Sequence, residues 1–200
     1  MATLNATNLK HASSGSNNIV LAADGSTTIS NLSGGVGKIL QVVQTQKVDA
    51  SSVTGNTFTK IPGTDQGGSG SVFCVKITPT SSSNKILVSC QIAFATSIMS
   101  YGRLVRTVSG SDTLIDIGTD RGYGQVSFFV RSSATDHYYG SMPANLEFLD
   151  TPNTTSEVQY SIETKSLNSN GNTYINRTHN ETTSYGWATA STITAKEVAA

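Results

Sequence analysis

Charge is what this chain most lacks. Asp, Glu, Lys and Arg make up 13% of its 200 residues, with 13 of each sign and a net charge of zero, against roughly 25% in an ordinary soluble globular chain. No basic stripe exists to neutralise phosphates, so nucleic acid is not an expected partner. Long apolar runs are missing too, and none approaches the ~20 residues that a spanning helix needs, so no membrane insertion is expected. The opening Met1-Ala2-Thr3-Leu4-Asn5 has neither a basic nor an apolar signal region, so synthesis and retention in a cytoplasm are expected. Cysteine is limited to Cys74 and Cys90, each inside an apolar run. Neither belongs to a CxxC or sits beside a histidine, so both are expected as buried free thiols rather than metal ligands.

Catalytic signatures are also scarce. No GxSxG, HExxH or P-loop pattern occurs, and His11, His137 and His179 are too scattered for ligand spacing. Glycan hydrolysis needs two carboxylates across a cleft. Asp116 and Asp120, with Asp112 nearby, are the best pair on offer, and their Gly-rich setting suits turns better. The expectation is a non-enzymatic chain with no catalytic residue, metal or cofactor.

What the chain does have is hydroxyl: Ser and Thr supply more than a quarter of it. Thr suits a pleated, half-buried strand, while Ser, Asn and Gly suit turns. Apolar residues, 36% of the chain, fall in short runs split by Gly, Ser, Asn and Pro, which is a sandwich or barrel signature. Strands are expected at 38–48, 57–61, 72–78, 85–96, 103–108, 113–117, 124–131, 145–150, 157–164, 173–176 and 187–198. Within 85–96, Ile86, Val88, Cys90, Ile92 and Phe94 share one face; within 157–164, Val158, Tyr160 and Ile162 do. One wet face per strand implies antiparallel sheets. The fold expected is all-β: an antiparallel, jelly-roll-like β-sandwich over residues 36–200, preceded by an extended N-terminal arm, residues 1–35.

In the arm, Leu4, Leu9, Ile19, Val20, Leu21, Ile29 and Leu32 are scattered among polar residues. They are too few to close a core, so the arm reads either as an anchor that finds its partners on other chains or as a disordered tail. Ser33-Gly34-Gly35-Val36-Gly37 reads as a hinge. Tyr138, Tyr139 and Trp187 sit in loop-like settings where sugar-stacking residues concentrate, and packing in a core or between subunits is the competing reading for each.

Three stretches carry a resemblance. The start runs Asn8-Leu9-Lys10-His11-Ala12-Ser13-Ser14, then Asn18-Ile19-Val20-Leu21-Ala22-Ala23-Asp24-Gly25-Ser26. Next come Gly37-Lys38-Ile39-Leu40-Gln41-Val42-Val43-Gln44-Thr45 and Ile77-Thr78-Pro79-Thr80-Ser81-Ser82-Ser83-Asn84-Lys85-Ile86-Leu87-Val88. The end has Tyr174-Ile175-Asn176-Arg177 and Thr189-Ala190-Ser191-Thr192-Ile193-Thr194-Ala195-Lys196-Glu197-Val198. Together they resemble the tail-fibre and virion structural proteins of marine tailed phages, cyanophages included. The resemblance implies a self-assembling, trimeric protein of the virion surface, made in the host bacterial cytoplasm. Its expected partners are copies of itself, other capsid or tail proteins, and a host surface glycan. Tail fibres usually carry a larger docking domain and a shaft, whereas here about 35 residues precede the sandwich. A short head fibre or a capsid decoration protein therefore fits as well.

Overall fold

Period-two alternation without any sustained helical period leaves the backbone one way to satisfy its hydrogen bonds, in ladders between strands. The computed structural model describes residues 38–63, 71–122, 124–131, 141–180 and 188–200, together with 8–9, 12–13, 15, 19–21, 23 and 27–29. Every regular element among these is a strand. Contacts divide the chain into two units, Met1–Lys38 and Ile39–Ala200.

In the first unit, β1 (Asn8–Leu9), β2 (Ile19–Leu21) and β3 (Thr27–Ile29) pair antiparallel in chain order. Asn8 lies opposite Val20 and Ile19 opposite Ile29. The short strands of the arm thus pair with one another.

The second unit comprises β4 (Ile39–Lys47), β5 (Ser51–Thr54), β6 (Thr59–Lys60), β7 (Cys74–Ile77), β8 (Lys85–Thr96), β9 (Met99–Val108), β10 (Ser111–Ile115), β11 (Phe128–Arg131), β12 (Met142–Asp150), β13 (Val158–Ser166), β14 (Asn172–Ile175) and β15 (Ser191–Val198). One sheet runs β4-β15-β8-β12, with β14 continuing beside the C-terminal end of β8 and β5 beside β14. The other has β10 and β11 on one side of β9, then β13, with β6 and β7 beyond it. Counting β10 and β11 as one strand and leaving out the short β5, β6 and β14 gives eight strands in chain order. The first sheet then reads first, eighth, third, sixth, and the second reads second, seventh, fourth, fifth. That is the order of a jelly roll built from two Greek keys. Every pairing between named strands is antiparallel.

The alternating residues meet between the sheets. Ile86, Val88, Cys90, Ile92 and Phe94 of β8 and Val158, Tyr160 and Ile162 of β13 are all buried in one core, joined by Leu104, Ile193 and Phe73. The step from β8 to β9 changes sheet within Thr96-Ser97-Ile98-Met99, and hydroxyls hold it: Ser100 donates to Thr96 at 2.7 Å and lies 2.6 Å from the Thr173 hydroxyl.

Candidate assembly surface

Each sheet has one face in the core and one face outward, and the two outward faces differ. On the second sheet the outward face is closed by its own side chains. Arg103 pairs with Glu163 at 2.7 Å and Lys60 with Asp112 at 2.8 Å. The Arg103 guanidinium lies 3.9 Å from the Phe58 ring centre, and the Lys165 ammonium 4.7 Å from it. Beneath this cover Cys74, Val105 and Ser161 are buried although they alternate with core residues.

The outward face of the first sheet is read in cross-strand rows. Gln44, Thr194, Ser89 and Glu147 form one row. It is closed internally, because Gln44 donates to Thr194 at 2.8 Å and Ser89 donates to Glu147 at 3.0 Å. The next row is Val42 of β4, Lys196 of β15, Leu87 of β8 and Leu149 of β12. Beyond it lie Ile39, Val198 and Lys85, with Leu40 left over where the β4–β15 register shifts. Ile39, Leu40, Val42 and Leu149 keep 51, 41, 55 and 46% of their surface exposed. Lys85 and Lys196 have no carboxylate partner among the described residues.

Buried polar groups fasten the strands that carry this face. Glu197 of β15 is fully buried, and its carboxylate accepts from Gln41 Nε2 (2.7 Å), Thr80 N (2.6 Å), Thr80 Oγ1 (2.8 Å) and Asn84 Nδ2 (2.6 Å). Burial alone would raise its pKa, but the donors outweigh it and hold the carboxyl at about 2. Asp150 of β12 reaches across the sandwich, accepting from Arg106 Nη1 and Tyr160 Oη, both at 2.7 Å. Burial, then the Asp150 charge and hydrogen bond, push the Tyr160 phenol well above its usual value. Lys47 turns its ammonium inward onto Asp49 at 2.6 Å, and that hydrogen bond holds the Asp49 carboxyl below its ordinary range. Asn176, at φ +59°, donates to the carbonyls of Lys47 and Asp49 and accepts from Ser191. Asn tolerates this left-handed conformation better than most residues.

The sequence-predicted site residues distribute as follows. Tyr138, Tyr139 and Trp187 lie outside the described residues, as do Leu4, Leu32 and the hinge. Of the anchoring set, Leu9 is in β1, Ile19, Val20 and Leu21 are in β2 and Ile29 is in β3, with Ile19 and Val20 half-buried. Asp112 is taken up by Lys60 and Thr107. Asp120 accepts from the amides of Gly122 and Gly124, which is turn duty. Asp116 sits at φ +51° with its pKa raised by burial. Cys74 and Cys90 are buried thiols outside any disulfide, and burial pushes the Cys90 thiol up to about 12. A pocket of 330 Å³ lies where the β9–β10 turn meets the start of β13, lined by Thr107, Ser109, Gly110, Ser156, Glu157 and Gln159. The Glu197, Asp150 and Asn176 clusters were not read from sequence. Their partners lie up to 156 residues away, and only a polar residue at a core-facing strand position, such as Glu197 in the alternation of β15, hinted at them.

No protein-family model matches the chain, and no curated protein matches it in sequence. Among solved structures it is similar to VP2 in a subviral particle of infectious bursal disease virus. That match has 14% identity and a TM-score of 0.32, and covers 80% of this chain and 37% of that one. A likeness at that score does not bear on function. The strand order above is what defines the class here: an eight-stranded jelly-roll sandwich.

Proposed function

We propose that the chain is a non-enzymatic structural protein of a phage particle, which assembles as a homotrimer and is displayed on the virion as a short fibre or decoration. The observation that carries this reading is the edge strand β4. It has nine residues and pairs with β15 on one side only among the described residues. It contains no proline, and its single charge, Lys47, is turned inward. Soluble monomers blunt such an edge with proline, outward or inward charge, a bulge or a covering element; β4 has no proline and no outward charge. An edge protected only by the register shift at Leu40 and the inward Lys47, beside exposed Ile39, Leu40 and Val42, suits a chain that is covered by copies of itself. The sequence resemblance to marine phage virion proteins supports the setting, and the low charge suits a surface partly buried between subunits.

Residues 1–35 are assigned the anchoring role, against other capsid or tail proteins. Immuno-gold labelling of particles tests the placement, with label on the head or the tail as the expected result and unlabelled particles as the contrary one. Removing residues 1–35 should leave the sandwich folded and abolish attachment. Retained attachment would locate the anchor in the sandwich.

A further inference from the structure

Resting on the self-assembly just proposed, we infer that the contact between copies is the outward face of the β4-β15-β8-β12 sheet, occupied by a second copy of this chain in a head-to-tail arrangement. The second sheet's outward face is closed by the Arg103–Glu163 and Lys60–Asp112 pairs and the cations over Phe58. Of the first sheet's outward polar rows, one is closed by Gln44–Thr194 and Ser89–Glu147, and the other, Gln46, Thr192, Gln91 and Asn145, is polar throughout. The exposed apolar part of this face is the row Val42, Lys196, Leu87, Leu149 and the apolar residues beyond it.

The charges on this face point to the occupant. Lys196 on β15 and Lys85 on β8 both lie on the inner strands without a carboxylate partner among the described residues. Glu147 lies on the β12 flank, its carboxylate bonded to the Ser89 hydroxyl. A face with cations on its inner strands, a carboxylate on its β12 flank and exposed apolar residues on β4 and β12 is complementary to its own neighbour. The β4 flank of one copy on the β12 flank of the next brings Lys196 to Glu147 and Val42 to Leu149. A contact between unlike flanks is heterologous and closes into a ring when the rotation allows, which is how three copies would use one face each.

Sedimentation equilibrium on full-length protein tests this, with circular dichroism to confirm that each variant keeps its sheet. Val42→Asp and Leu149→Asp should each raise the concentration at which the trimer dissociates by about tenfold or more. Lys196→Glu and Glu147→Lys should each weaken it, and the two combined should restore it. Restoration is something a merely misfolded variant would not show. If wild type is trimeric and all four single variants remain so, the face is not the contact between copies. The inference then falls while self-assembly stands. A monomeric wild type overturns both.

Discussion

Glu197 shows how much of this fold rests on single polar residues. Its carboxylate takes hydrogen bonds from Gln41, Thr80 and Asn84, so it ties β15 to β4 and to the β7–β8 loop. Glu197→Gln would turn an amide N–H₂ toward donors, and since bonds to a charged acceptor each contribute about 1.5–3 kcal/mol, a loss of roughly 3 kcal/mol in urea unfolding is expected. The folded pKa, about 2, lies below the ordinary 4.5. Stability from this group is therefore complete above about pH 4.5 and lost as pH falls through about 2. The gap in urea midpoint between wild type and Glu197→Gln should close over that window; a gap independent of pH would assign the effect to shape rather than charge. Asp150 gives a second case. Tyr160→Phe removes one bond to a retained carboxylate, whereas Asp150→Ala strips partners from both Arg106 and Tyr160. Thermal unfolding should rank Asp150→Ala as clearly the more damaging. Equal losses would mean that the Arg106 pair contributes little.

At the scale of elements, β9 depends on a glycine. The Phe128 ring of β11 packs directly on Gly102, where a Cβ would collide with it. Gly102→Ala should cost about 1–3 kcal/mol by overpacking, and a smaller residue at 128 should recover part of it. An unchanged melting temperature would contradict this packing. Strands were the legible part of the sequence. The run at 85–96 is β8 residue for residue, because each core-facing position carries an apolar side chain. β5, Ser51–Thr54, was not legible: Val53 is its one apolar residue, and it forms because β14 offers an edge. The pairing of β2 with β3 was equally hidden, since apolar content too low for a core does not prevent a hairpin. The open row was hidden for another reason: Val42, Lys196, Leu87 and Leu149 share it only through register between four strands. Composition carries no register.

For the molecule as a whole, the magnitudes favour modest assembly. Fully burying a Val, Leu or Ile contributes about 1.5–3 kcal/mol. Ile39, Leu40, Val42 and Leu149 are each roughly half exposed, so covering all four contributes on the order of 3–6 kcal/mol per copy. Association costs about 4–15 kcal/mol in lost freedom before any gain appears. These apolar residues by themselves offset that cost only at its low end, so the edge of β4 and the Lys196–Glu147 contact must supply the rest. Micromolar association corresponds to about 8 kcal/mol net, so it requires these polar contributions, and high local concentration on the particle strengthens it. Multi-angle light scattering on the full-length protein at micromolar concentration tests this most directly. The expected mass is three times the 21.0 kDa chain, and a mass of 21.0 kDa that persists as concentration rises would contradict self-assembly.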